Sequence, residues 1–275
     1  MDVVCVGDCG VDHYSPSGER RFGGITANFA RHARSEFPVS DDIQIISCVG
    51  SDDGADLVLS SLVDSGIKCH ISKLAGVTPV QHIEIEPDGE KNFVRYDEGV
   101  LRDFSFGDSE RRIIENSDLL VAPVYLQIVD LYDDLMNIRT FGQVAIDFAD
   151  FLQYPDFDLL ERYIDNVDIG FFGLSVKNDK AIARIAELAS RHGKLFVVTL
   201  GAHGSRAFRG GEHFDCPAAD VDKVIDTTGA GDAFAAGFLA KYCHDHGIEE
   251  ALQSGAAVAA MVVGHYGSYL QPETR

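Results

Sequence analysis

The sequence predicts an α/β protein in which a mainly parallel sheet is covered by helices on both faces and carries a small β-lid. Three observations point there. Six short runs rich in Val, Ile, Leu and Phe (residues 3–6, 43–49, 118–121, 144–147, 167–172 and 195–199) read as strands buried on both faces. Helical stretches lie between and after them, as where Ala181, Ile185, Leu188 and Ala189 recur at helical spacing and Ile182 and Ala186 broaden the face. This alternation is the pattern of a parallel sheet with crossover helices. Finally, two segments, 13–22 and 78–98, break the alternation.

Each element has a local reason. Run 3–6 ends at Gly7-Asp8, and the paired Gly23-Gly24 precede a helical stretch that holds Asn28. In the second interruption, Val80, His82, Glu84 and Glu86 alternate with Gln81, Ile83 and Ile85. Pro87-Asp88-Gly89 then turns the chain and 92–96 returns. This reads as an antiparallel hairpin with a charged outer face. The two interruptions, about 13–22 and 77–98, are expected to form the lid of a single domain spanning 1–275. A later hairpin, 205–214 around Gly210-Gly211, reads as structural decoration. The helical stretch 233–242 follows a Gly-rich turn.

With 275 residues the chain can bury a large core without a disulfide or metal staple. Acidic residues number 44 against 23 basic, a net charge of -21. That surface repels polyphosphate backbones and anionic membranes, so neither nucleic acid nor membrane is an expected partner. The longest apolar runs, such as 233–240, span about half a bilayer or less. The start, Met1-Asp2, is not a signal segment. Cys5, Cys9, Cys48, Cys69, Cys216 and Cys243 are scattered without a CxxC pair, which fits reduced thiols and a cytoplasmic location. Cys5 and Cys9 read as structural, because Cys5 lies in an apolar run and no second ligand pair follows. His244 and His246, flanking Asp245, read as a solvated helix end.

The chemistry concentrates in Asp226-Thr227-Thr228-Gly229-Ala230-Gly231-Asp232-Ala233-Phe234. Small residues let the backbone approach a ligand. The first amides of a helix have no intrahelical acceptor and lie at its positive end. That is a phosphate cradle needing no Lys or Arg, a local device working against an acidic surface. Asp232 sits among those amides, where a carboxylate acts as general base for an attacking hydroxyl. The string is neither GxGxxG, since position 234 is Phe, nor a Walker loop. A capping Asp with flexible glycines is the plainer reading.

The full string from 226 to 238, DTTGAGDAFAAGF, resembles the second signature of the ribokinase-like (PfkB-type) carbohydrate kinases. Gly23-Gly24-Ile25-Thr26-Ala27-Asn28-Phe29-Ala30 resembles their first. Gly7-Asp8, Val11-Asp12 and Thr199-Leu200-Gly201-Ala202-His203-Gly204 match further motifs in order, so the resemblance covers essentially the whole chain. Within the family it is most similar to the fructoselysine 6-kinase branch, through GDCGVDHY (7–14), GVTPVQHIEIEP (76–87), YDEGVLRDF (96–104), Asp147-Phe148, Ala259-Ala260 and His265-Tyr266-Gly267.

The resemblance implies a three-layer α/β/α sandwich and transfer of the γ-phosphoryl of ATP to a primary hydroxyl of a sugar or fructosamine. Asp232 matches the catalytic base, and the amides of Gly229, Ala230 and Gly231 match the anion hole. Asp12, Gly24 and Asn28 match sugar-binding positions, and Asp147 and Arg95 are expected beside them. Thr199, Gly201 and Gly204, with Gly229 and Gly231, match the nucleotide site. Asp226 and Thr228 match the place of a monovalent cation, K⁺, in several members. Mg²⁺ is expected with ATP, and a homodimer through the lid is a family habit. Read on residues alone, Asp12 also fits a turn residue, Asn28 a cap and Thr199 a strand end.

Two departures matter. Gly173-Leu174-Ser175-Val176 stands where many relatives carry an Asn-x-x-Glu motif that arranges Mg²⁺. Asp147 is followed by Phe148-Ala149-Asp150 where relatives often have Asn and Arg, which suits an amine-bearing substrate better than a phosphorylated one. Gln81, His82 and Arg95 are the lid residues offered to the pocket, and the sequence leaves open which of them point inward. The alternatives are a kinase for another small sugar or nucleoside (ribose, fructose, adenosine-like) and a non-catalytic sugar- or nucleotide-binding protein.

Overall fold

The structure, a computed structural model, describes residues 1–15, 17–85, 91–149, 152 and 157–269. In chain order it opens with β1 (Asp2–Val6), β2 (Gly10–Ser15), β3 (Glu19–Gly23), α1 (Ile25–Glu36), β4 (Asp42–Val49), α2 (Asp53–Leu62) and β5 (Lys68–Lys73). Next come β6 (Val80–Ile85), β7 (Lys91–Asp97), α3 (Asp108–Glu115), β8 (Leu119–Pro123), α4 (Val129–Met136), β9 (Gln143–Asp147) and α5 (Asp158–Tyr163). The chain ends with β10 (Ile169–Gly173), α6 (Asp179–His192), β11 (Leu195–Thr199), β12 (Ser205–Arg209), β13 (Glu212–Cys216), α7 (Ala230–Asp245) and α8 (Ile248–Val262).

Among the described residues, nine strands form one sheet in the order β13-β12-β11-β10-β9-β8-β1-β4-β5. From β5 to β11 every pairing is parallel, while β12 and β13 add an antiparallel edge. Successive side chains point to opposite faces, so one strand feeds two cores. Val3 and Cys5 of β1 pack with α1, α2, α7 and α8, and Val4 and Val6 pack with α3, α4, α5 and α6. The result is the expected α/β/α sandwich. Helix α7 is buried from Asp232 through Ala240, between α1 and α8. A helix enclosed on all sides must be apolar all round, which explains the long apolar run. Gly237 and Gly255 let α7 and α8 approach: a Cβ on Gly255 would lie 2.8 Å from the Phe234 carbonyl. Among the described residues no helix is long and apolar enough to cross a membrane.

A second sheet, ordered β3-β2-β6-β7, stands beyond the carboxyl end of β1. Its inner pair is parallel, with Asp12 opposite Gln81 and His13 opposite His82, and a register shift follows His82. The hairpin turn expected at 87–89 lies outside the described residues. Two differences from expectation have simple causes. β5 carries Lys68, His70 and Lys73 on the sheet's open edge, so it lacks a buried strand's apolar signature. The hairpin of β12 and β13 is no decoration, since it extends the main sheet. A third concerns His244, which is not simply solvated: its Nε2 lies 2.8 Å from Asp41, which also holds the Met1 amino group at 2.8 Å. Cys5 and Cys9 are free thiols buried in the core.

Candidate active site

The parallel strands β1, β9, β10 and β11 deliver Asp8, Asp147, Gly173 and Thr199 to one side of the sheet, where α/β folds place their ligands. There lies a cavity of about 640 Å³, bounded by these residues, the loop before α7, the start of α1 and the second sheet.

The loop before α7 is closed on itself. The Asp226 carboxylate, with no exposed surface, accepts the Thr228 amide at 2.8 Å, the Gly267 amide at 2.9 Å and the Tyr14 hydroxyl at 3.3 Å. These bonds fit an anchor of the loop; a monovalent cation expected here would compete with them. Gly229 caps α7 at φ 77°, and a Cβ there would sit 2.5 Å from the Ser268 Cβ. Glycine is demanded twice over, by backbone and by space. Gly231 faces open space, and both glycines line the cavity. Ala230 does not line it, and its amide turns back to the Thr227 carbonyl at 3.3 Å. Asp232 lies in the first turn of α7, 8% exposed, and accepts the Asn28 side-chain amide at 3.0 Å.

The opposite wall is built from side chains. Asp12 on β2 is 4% exposed, and a Cβ on Gly23 would lie 2.2 Å from its Oδ1. The paired glycines thus make room for that carboxylate. Gly24 caps α1 at φ 103° without a side chain to cap with. Asp8 supplies the cap, accepting the amides of Ile25 and Thr26 at 3.0 and 3.1 Å and the Thr26 hydroxyl at 3.2 Å. Burial pushes the Asp8 carboxyl up, against the pull of those donors. Phe148 stacks on Phe172 at 4.8 Å, turning into the core and leaving Asp147 at the cavity. Asp150 lies outside the described residues.

The second sheet contributes Gln81 and Tyr96, and Tyr96 receives a hydrogen bond from the Tyr125 hydroxyl at 3.0 Å. Burial, and next the Asp8 carboxylate, hold both phenols well above their ordinary range, so both stay protonated. Arg95 borders the cavity, but its guanidinium turns to Asp97 at 2.8 Å. His82 is directed elsewhere, to Asp97 at 3.0 Å and His13 at 3.3 Å.

Of the sequence-predicted residues, the cavity therefore gathers Asp12, Gly24, Asn28, Asp147, Arg95, Thr199, Thr228, Gly229, Gly231 and Asp232. Gly201 and Gly204 fall outside it; a Cβ on Gly204 would lie 2.1 Å from the Cys216 carbonyl, so this glycine shapes the turn into β12. Asp8, Tyr96, Tyr125 and Ser268 went unassigned from sequence, because each meets its partners across 17 to 240 residues.

Fold and cavity together define a kinase of the ribokinase-like class. The chain belongs to the pfkB family of carbohydrate kinases, whose family model matches residues 1–275. It is thus an enzyme, an ATP-dependent phosphotransferase with an alcohol group as acceptor. It is 29% identical over 274 residues to the fructosamine kinase FrlD of Bacillus subtilis, covering 98% of this chain and 93% of that one. It is 27% identical over 269 residues to the fructoselysine 6-kinase of Escherichia coli, covering 97% and 99%. Among solved structures, the adenosine kinase of Sinorhizobium meliloti superposes with a TM-score of 0.81 at 23% identity, covering 99% of this chain and 96% of that one. The ribokinase of Thermotoga maritima gives 0.75 at 21%, covering 98% and 94%. These likenesses show the fold.

Proposed function

We propose that this kinase phosphorylates a fructosamine, with fructoselysine at its 6-hydroxyl as the substrate. The observation that carries the chemistry is Asp232, held in the first turn of α7 between the glycine-lined loop and the wall of Asp12 and Asn28. The substrate hydroxyl gives its proton to Asp232 while its oxygen bonds to the γ-phosphorus. The bond from that phosphorus to the bridging oxygen breaks, and ADP leaves with the electron pair. The amides of Gly229 and Gly231, which line the cavity, face the developing charge, while the Ala230 amide stays bonded to the Thr227 carbonyl. Asp12, Asn28 and Gly24 hold the polyol. Thr199 stands toward the nucleotide.

The fructosamine assignment is supported by two relatives named for that chemistry over nearly the whole chain. The cavity wall also supports it: Asp8, Asp12, Asp147 and Asp232 line it, and the bordering Arg95 has its guanidinium engaged by Asp97. That charge pattern favours a cationic polyol over a sugar phosphate. Mg²⁺ neutralises phosphate charge when it arrives with ATP. Among the described residues no group of three His, Cys, Asp or Glu is arranged for a metal, which suits an ion carried by the nucleotide. The second sheet is proposed as a lid over the sugar and, by its outer face, as a homodimer contact. A cytoplasmic setting is proposed from the free cysteines.

A coupled ADP-release assay over fructoselysine, other fructosamines, fructose, ribose and adenosine tests the reading. Fructosamines are expected to give the highest kcat/KM. Inert fructosamines beside reactive ribose or adenosine would remove the substrate assignment.

A further inference from the structure

We propose that Ser268 is a positioning residue for phosphoryl transfer, acting through Asn28 on Asp232. The proposal rests on reading Asp232 as the base. A carboxylate only accepts hydrogen bonds, so the group 3.0 Å from Asp232 Oδ2 must be the Asn28 Nδ2 amide, not its carbonyl. The Asn28 Oδ1 is thereby turned the other way, to the Ser268 Oγ at 2.7 Å, which must donate. The direction of the whole chain of bonds is dictated from the carboxylate outward, from Asp232 through Asn28 to Ser268.

Ser268 is itself fixed from three sides. Its carbonyl lies 2.7 Å from His32 Nε2, one turn along α1 from Asn28. A carbonyl accepts, so this nitrogen carries the ring proton. Burial, the leading cause, lowers the His32 pKa to about 4, so the imidazole is neutral at working pH. The adjacent Gly267 amide donates to Asp226, and the Ser268 Cβ fills the space beside Gly229. Ser268 is 3% exposed and does not line the cavity, so it has no direct part in substrate contact.

Losing the Ser268 hydroxyl leaves the Asn28 carbonyl oxygen without its donor in a buried setting and loosens the amide about its side-chain torsion. The base then loses its fixed orientation toward the line of attack. The same side chain therefore closes the cradle and aims the carboxylate.

The test is steady-state kinetics and ADP binding of Ser268→Ala and Ser268→Cys, with Asp232→Asn alongside. Ser268→Ala is expected to lower kcat about tenfold, with KM for ATP and Kd for ADP within about twofold of the parent and the sugar KM moving less than kcat. Cysteine fills the space with a larger atom and weakens the donor, so its kcat falls between the two. If Ser268→Ala keeps kcat within twofold while Asp232→Asn is inactive, Ser268 does not position the base. An equal fall in ADP affinity and kcat would overturn the proposal too, by assigning Ser268 to the cradle alone. Should Asp232→Asn itself turn over normally, the base reading fails and the inference goes with it.

Discussion

The two walls of the cavity are made of different material. On one side residues 226–232 form a contiguous turn whose working groups are main-chain amides, so it contributes no side-chain charge apart from Asp226 and Asp232. On the other side Asp8, Asp12, Asn28, Tyr96, Tyr125 and Asp147 arrive from separate elements and act through side chains. A backbone device is indifferent to the surface charge of -21 but intolerant of a Cβ. A side-chain device selects by charge and shape and is open to change one residue at a time. The same split separates the proposed co-substrates, ATP on the first wall and the sugar on the second.

The largest effect is expected where the walls meet. Asp232→Asn should cut kcat by about 10³-fold, within the range typical of general-base loss, while calorimetry shows ADP still binding. Gly229→Ala strikes the first wall. It forces a residue with a Cβ into φ 77° and against Ser268. Strain of this kind is worth about 1–3 kcal/mol, so kcat/KM for ATP should fall by roughly 10–100-fold with the sugar KM less affected. Gly23→Ala strikes the second wall, its Cβ displacing Asp12. About a tenfold rise in sugar KM is expected from one disturbed charged hydrogen bond, with ATP KM steady. Parallel rises in both KM values for either glycine variant would break the comparison.

A smaller effect sharpens it. Burial keeps His32 neutral in the folded chain down to about pH 4, while the unfolded chain protonates it near its ordinary pKa of about 6.5. Between those values the unfolded state binds more protons, so stability falls as pH drops through that window. His32→Gln keeps an N–H toward the Ser268 carbonyl without titrating. Denaturant melts at pH 7 and 4.5 should show a smaller pH penalty for the variant than for the parent.

What was legible in the sequence follows the same division. The turn at 226–232 is written in consecutive letters, and the paired glycines at 23–24 announce themselves the same way. The buried parallel strands were legible because each is apolar on both faces. β5 was not, since an open edge leaves half its residues in water. Asp8 capping α1 lies 17 residues from Ile25, and Tyr125 meets Tyr96 across 29. No local pattern encodes such meetings; only the closed sheet brings them together. The facing of His82 stayed open for a subtler reason. Strand alternation tells that His82 and Gln81 face opposite ways, but not which of the two faces the cavity, and here it is Gln81.

The clasp of Gly267 and Ser268 has a bearing on how the enzyme comes into being. Every residue that lines the cavity precedes these two in the chain, and at about 5–20 residues per second the interval between β1 and the clasp is many seconds. Through that interval the sheet can assemble strand by strand while the cradle stays unlatched and the base unaimed. The nascent chain can thus be folded in outline and still inert. On the roles proposed for Ser268 and Asp232, catalytic competence waits on the clasp rather than on the sheet.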